Sequence, residues 1–74
     1  MANSVWNKIE GNWKQFTGHV QDKWGELTND DIDEINGERK VFEGKLQERY
    51  GIAQDEASRQ IDEWADALKD AVND

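Results

Sequence analysis

The chain has 74 residues, 17 of them acidic and 9 basic, with a net charge of −8 and neither cysteine nor proline. A chain of this length makes one small domain of marginal stability, and the lack of cysteine excludes disulfides and thiolate metal ligands from this sequence. The negative charge opposes binding to nucleic-acid phosphates and to anionic membranes. We therefore expect a single domain over residues 1–74 that binds neither nucleic acid nor a membrane.

The charge and the apolar residues are unevenly distributed along the chain. Residues 1–27 are neutral, whereas residues 52–74 carry a net charge of −5. No stretch approaches 18 consecutive apolar residues, and the first residues lack a basic start followed by an apolar run. We therefore expect neither a membrane-spanning helix nor a secretory signal.

The apolar residues recur at steps of three and four, which predicts helices, and no stretch keeps the two-residue alternation of a strand. Ser4 is a suitable N-cap for the first helix, which Gly11 or Gly18 can interrupt because glycine is a poor helix former. The residues on the predicted apolar face of this helix are Val5, Ile9, Trp13, Phe16, Val20, Trp24 and Leu27.

Further along the chain, polar residues mark where the remaining helices begin and end. Thr28 and Asp31 have the spacing of a capping box, Gly51 is a suitable C-cap, and Asp55 can cap the last, acidic helix. The fold class is therefore all-α, a small bundle of about four helices. The predicted helices lie near residues 4–24, 29–36, 38–50 and 55–72.

The predicted core consists of the large apolar side chains on these helical faces, together with the aromatic rings. Trp6 is the tryptophan that we expect to be partly exposed. The core residues that we predict are Ile9, Trp13, Phe16, Val20, Trp24, Ile35, Phe42, Leu46, Tyr50, Ile61, Trp64 and Leu68.

A 26-residue internal repeat runs through the first two thirds of the chain. Residues 11–25 aligned with residues 37–51 give six identities in 15 positions, and all six glycines lie in these two segments. Ordinary residue frequencies would give roughly one identity by chance. We therefore predict two repeat units, near residues 4–27 and 30–53, packed as a pseudo-twofold pair.

The repeat preserves a polar stripe better than it preserves the apolar face. On a helical wheel the glycines lie almost opposite the apolar residues, with a lysine and a glutamine beside them. Three interpretations are open: the glycines serve as caps and kinks, a second helix from this chain or a partner lies against them, or they keep the helices weak. The candidate interaction face comprises Gly11, Lys14, Gly18, Gln21, Gly37, Lys40, Gly44 and Gln47.

The residues that usually carry chemistry do not form a recognisable site in this sequence. His19 lies on neither stripe and has no serine or cysteine nucleophile in a catalytic frame. The acidic segment 29–37 fails the calcium-loop frame at its first ligand, so helix-capping acids explain it better. We therefore expect no catalytic residues, no cofactor and no metal site.

The segments GNWKQFTGHVQDKWGELTNDD, ING and GKLQERYG resemble the CsbD-like family of small bacterial general-stress proteins, over residues 8–64. The resemblance implies about four helices arranged as two crossed helical hairpins, as in SAM-like folds. It also implies a cytoplasmic bacterial protein that accumulates under stress. It implies no catalytic activity and no ligand, so no functional residues are carried over from the family.

Two hypotheses about function follow from the sequence. The first is a non-enzymatic stress-response protein that protects other molecules by hydration and weak contact, as its mean hydropathy of −1.07 and its net charge suggest. The alternative is an interaction module, in which the repeated glycine faces bind an unknown protein partner or a second copy of the chain.

Overall fold

The computed structural model describes residues 2–69, with side chains from residue 5 onward, and these residues form α-helices and no strand. This confirms the all-α prediction. Five helices are present in this part of the chain instead of the four expected, because the first predicted helix is divided in two. The helices are α1 (Ala2–Gly11), α2 (Trp13–Lys23), α3 (Asn29–Ile35), α4 (Arg39–Tyr50) and α5 (Gln54–Ala67).

The division between α1 and α2 lies at Asn12, directly after Gly11. The Asn12 side-chain amide donates to the Lys8 carbonyl oxygen at 3.0 Å, and the Asn12 backbone N–H donates to the same oxygen at 3.1 Å. Gly11 therefore marks the predicted break, whereas Gly18 stays inside α2. The prediction of Ser4 as an N-cap is wrong, because α1 already begins at Ala2.

Local capping signals explain the ends of α3 and α4. The Thr28 hydroxyl accepts from the Asp31 backbone N–H at 3.0 Å, and the Asp31 carboxylate accepts from the Thr28 backbone N–H at 3.1 Å, which confirms the capping box. Gly51 ends α4 with a φ of +65°, as a C-cap in the left-handed region should.

The last helix begins and ends differently from the prediction. Its N-cap is Ala53, and the predicted cap, Asp55, lies in the first turn, where its carboxylate accepts from the adjacent Glu56 N–H. The helix ends at Ala67, with Leu68 as its C-cap. Residues 70–72 of the predicted helix lie outside the described residues.

Phe42 lies at the centre of the core and is fully buried. All four tryptophan rings surround it, with centroid distances of 5.0 Å for Trp24, 5.8 Å for Trp13, 5.9 Å for Trp64 and 6.0 Å for Trp6. Most of these rings meet edge to face, the arrangement that aromatic quadrupoles favour.

Three predictions about the core are wrong. Trp6 is only 6% exposed, because its ring packs against the rings of Trp13 and Phe42. Tyr50 is 38% exposed, and its hydroxyl accepts from the Glu26 N–H in the α2–α3 connection. Leu68 is only partly buried. The other core predictions are confirmed, and the structure adds Leu27, Ile32, Ala57 and Ala65.

The five helices pack as two pairs joined by α5. Helix α1 packs against α2, α3 packs against α4, and α5 contacts both α1 and α4. The starts of α2 and α4, at Trp13 and Arg39, are 26 residues apart, in keeping with the repeat. The pseudo-twofold arrangement of two repeat units stays a prediction.

Candidate interaction face

The residues of the first glycine stripe lie along one continuous surface. Lys14 and Gly18 are exposed on α2, and together with Gln21 they line a shallow depression that α3 closes on its other side. Gly11 and Lys14 line a second depression at the α1–α2 corner. The α3 side of the first depression is formed by Asn29, Ile32 and Asp33.

Gln21 has a structural role within this surface. Its side-chain amide donates to the Leu27 carbonyl oxygen at 2.9 Å and lies 3.5 Å from the Gly25 carbonyl oxygen. These carbonyls belong to the connection between α2 and α3, where no helix supplies them with backbone donors. Gln21 therefore stabilises this connection and is only partly available to a partner.

The second stripe is divided between the surface and the interior. Lys40 and Gly44 are exposed on α4, and Gln47 is half-buried. Gly37 is buried with a φ of +84°, and a Cβ atom there would lie 2.9 Å from Glu10 Cγ and 3.1 Å from the Glu10 carbonyl oxygen. The eight candidate residues therefore do not share one accessible face.

The structure distinguishes between the interpretations of the glycines. Close approach by another part of this chain occurs at Gly37, but apart from the adjacent backbone of the same helix no described atom lies within 4 Å of a Cβ built at Gly18 or Gly44. Gly51 is a C-cap, as expected. Gly25 is not, because Trp24 caps α2 and Gly25 lies in the turn that follows. The packing of this chain gives no reason for glycine at positions 18 and 44.

We expect Gly18→Ala and Gly44→Ala each to raise the free energy of unfolding by about 0.5–1 kcal/mol, because alanine is the better helix former and has room at both sites. Gly37→Ala should have the opposite effect and lower the free energy of unfolding by about 2 kcal/mol, because Gly37 has a left-handed φ and the Glu10 backbone lies against it. Urea denaturation measures all three. A loss of stability in Gly18→Ala would show that the described packing around α2 is wrong.

A charged cluster that the sequence analysis missed joins α3 to α4. The Asp31 carboxylate, 4% exposed, accepts from Arg49 Nε at 2.8 Å and from Arg49 Nη2 at 3.1 Å, and Lys45 Nζ lies 3.5 Å away. The hydrogen bond from Arg49, followed by that from the Thr28 N–H, holds the pKa of Asp31 well below its usual range. The pKa of Lys45 is raised, first by its contact with Glu34.

A second charged cluster joins α4 to α5 around Arg39. Its Nη2 lies 2.7 Å from Asp62 Oδ1, 2.9 Å from Ser58 Oγ and 3.0 Å from the Ser58 carbonyl oxygen, and its Nε lies 3.2 Å from Glu43. Arg39 and Glu43 fall at positions where the two repeat units differ, opposite Trp13 and Thr17. That departure from the repeat is the sequence signal that could have identified the cluster.

The remaining features of the described part of the chain give no indication of a reactive centre. His19 is exposed, and its ring lies 6.0 Å from the Phe16 ring. Within residues 2–69 no group of three or more histidine or acidic side chains is placed to hold a metal ion. Of the helices described, none is long and apolar enough to cross a membrane.

Comparison with known sequences identifies the family. The sequence model of the CsbD-like family matches residues 7–59, most of the chain. The chain belongs to the CsbD-like family. The matched segment of this CsbD-like chain contains α2, α3 and α4 complete and stops within α5. It ends before residue 64, which was the predicted end of the resemblance.

Curated relatives align with this CsbD-like chain over most of its length. It is 58% identical over 64 residues to UPF0337 protein RPA4217 of Rhodopseudomonas palustris, covering 86% of this chain and 97% of the relative. It is 50% identical over 60 residues to UPF0337 protein YjbJ of Escherichia coli K12, covering 78% and 87%. UPF0337 protein NE2439 of Nitrosomonas europaea is 41% identical over 70 residues, covering 90% and 74%. No solved structure matches.

Proposed function

We propose that this CsbD-like chain is a non-enzymatic, cytoplasmic stress-response protein that protects other proteins from aggregation and drying. The observation that carries the proposal is its surface: among the described residues, Tyr50 is the one large apolar side chain that is exposed. Four further apolar side chains, Val5, Val41, Ile52 and Leu68, are only partly buried, and charged and polar residues make up most of the other exposed positions. Such a surface stays hydrated and repels its own copies, which favours solubility at high concentration.

The composition of the chain supports the same proposal. A net charge of −8 on 74 residues and a mean hydropathy of −1.07 accompany a small core, so the fold combines strong hydration with marginal stability. Membership of the CsbD-like family, which the sequence resemblance describes as small general-stress proteins, supports the same role. A protective role requires abundance and weak contacts, and no catalytic residue.

A second candidate function, binding of a protein partner or a second copy, is favoured by Gly18 and Gly44. Both occupy open helical surface where the chain itself has room for a side chain. Gly18 also lies beside a depression with Lys14 on one side and Asp33 on the other. A partner backbone lying close to these glycines would explain why the helices tolerate them.

The double variant Gly18→Lys/Gly44→Lys should protect a heat-labile enzyme, such as malate dehydrogenase, as well as the wild type does. Lysine is a good helix former, and a Cβ atom at either position meets no neighbour, so helicity should be unchanged. Light scattering during heating, and enzyme activity recovered after drying, measure protection, and circular dichroism measures helicity.

The matched control is Gly18→Ala/Gly44→Ala, which removes both glycines without adding bulk or charge. Crosslinking in bacterial cytosol, made with the wild type and both double variants, tests the second candidate. Loss of one enriched protein or of a dimer in the lysine variant alone would establish the binding role. A wild type that protects no better than an equal mass of an inert acidic protein would refute the protective role.

A further inference from the structure

Helix α5 covers the open side of the aromatic cluster. Its Trp64 ring lies 5.3 Å from the Trp24 ring and 5.9 Å from the Phe42 ring, and its Ile61 is fully buried. It also packs on one helix of each pair, α1 and α4. Without α5, an apolar groove would be open, with Trp24 and Phe42 in its floor.

The N-terminus of α5 lacks the side-chain cap that α3 has. Its N-cap, Ala53, provides no side-chain hydrogen bond, whereas α3 begins with a complete capping box. Its last turn contains Asp66 and no basic residue, and an acid near the C-terminus opposes the helix dipole. The helix carries five carboxylates and one arginine, a net charge of −4 within a chain of net charge −8. Asp62 and Asp66, four residues apart, repel each other, which lowers the stability of the helix itself.

The ion pair that holds α5 on α4 is partly accessible to water. The Arg39 side chain, 23% exposed, contacts Asp62, which is 46% exposed, and Gln54 Nε2 donates to Glu43 Oε1 at 3.1 Å. Ion pairs this exposed contribute little, because water competes for both charges. The pair that joins α3 to α4 is different, since the Asp31 carboxylate is almost completely buried. Warming should therefore release α5 from α4 before it separates α3 from α4.

The connection between α4 and α5 is suited to a pivot. It consists of residues 51–53, and it begins with Gly51 in the left-handed region, where glycine has more conformational freedom than other residues. Small changes of φ and ψ at such a residue reorient the helix that follows it.

We propose that α5 is a releasable cover, and that the groove beneath it binds an apolar helical segment of a partly unfolded protein. The occupant is inferred from α5 itself, which fills the groove with apolar side chains at positions 57, 61, 64 and 65 and places Asp62 against Arg39 on the rim. A segment with this spacing and one acid reproduces those contacts, as in other helix-in-groove complexes. The inference rests on the proposed protective function and supplies its mechanism: stress opens the groove that binds the client.

The test fixes α5 in place. Because the chain has no cysteine, Arg39→Cys/Asp62→Cys introduces a unique pair of thiols, which a short bis-maleimide joins across the α4–α5 contact. The matched control is the same variant with each thiol capped by N-ethylmaleimide, so that only the tether differs. If the tether reduces the open population tenfold, the concentration that halves malate dehydrogenase aggregation should rise about tenfold relative to the capped control.

The capped control should protect at least as well as the wild type, since its Arg39–Asp62 contact is gone. Equal protection by the tethered and capped forms would overturn the cover mechanism and leave the protective function standing. A wild type that gives no protection would overturn both.

Hydrogen exchange of the unmodified chain tests the proposal without any substitution. Amides of α5 should exchange through an opening that requires less free energy than global unfolding, whereas amides of α2 and α4 should not. If the amides of all three helices exchanged equally slowly, the proposal would be contradicted, even if the cysteine variant fails to fold.

Discussion

Phe42→Ala is expected to lower the free energy of unfolding by about 3–5 kcal/mol, as large core truncations do. A domain of this length has a total stability of about the same size, so the variant should be largely unfolded at room temperature. Phe42 is fully buried, and its ring is the one that all four tryptophan rings share. Removing it leaves a cavity that rigid indole rings cannot readily fill.

The internal repeat provides the matched control for this substitution. Phe16 occupies the equivalent position in the first unit and is 7% exposed, and the ring contact that it makes is with His19 at the surface. Phe16→Ala removes the same atoms from a site where water and neighbouring side chains can enter, so its effect should be clearly smaller. Urea denaturation followed by tryptophan fluorescence measures both variants. Cooperative melting of Phe42→Ala within a few degrees of the wild type would show that the core is assigned wrongly.

The features predicted correctly from the sequence are those that depend on local spacing. The capping box of Thr28 and Asp31 needs only residues three apart, and the Gly51 C-cap depends on one residue's conformational freedom. The apolar faces of α2 and α4 follow from helical periodicity, which is why Trp13 and Phe42 were placed correctly in the core. These signals do not depend on how the helices pack.

The features that were missed depend on tertiary contacts. Asp31 and Arg49 are 18 residues apart on different helices, and no periodicity relates them. Trp6 was expected to be partly exposed, but its ring is covered by contacts with Trp13 and Phe42, which lie on other helices. The buried state of Gly37 depends on the Glu10 backbone, which belongs to another helix.

Tertiary contacts also limit what the sequence can predict about the candidate face. The repeat placed Gly18 and Gly44 in the candidate face, and both are exposed helical glycines with open space at the Cβ position. The repeat could not reveal that the Gln21 side-chain amide donates a hydrogen bond to the Leu27 carbonyl oxygen. A repeated sequence therefore placed equivalent residues in environments that are not equivalent.

Asp31→Asn is expected to lower the free energy of unfolding by about 2–3 kcal/mol at neutral pH. The change removes the charge from hydrogen bonds that contribute more than neutral ones. Arg49 is 40% exposed and can regain water, so the loss should be below the 3–5 kcal/mol typical of a fully buried pair. The exposed Asp33, on the same helix, is the control: Asp33→Asn should change the stability by no more than about 0.5 kcal/mol.

The effect of Asp31 should depend on pH in a defined direction. Its pKa is depressed in the folded state, below the ordinary value of 3.8 that applies when the chain is unfolded. The carboxylate therefore contributes its full stabilisation above pH 3.8, and the contribution is lost progressively as the pH falls toward the folded-state pKa. Urea denaturation of the wild type and Asp31→Asn should give free energies that differ most at neutral pH and converge below pH 3.8. A difference that stayed constant down to the acid limit would mean that the charge of Asp31 is not what stabilises the α3–α4 contact.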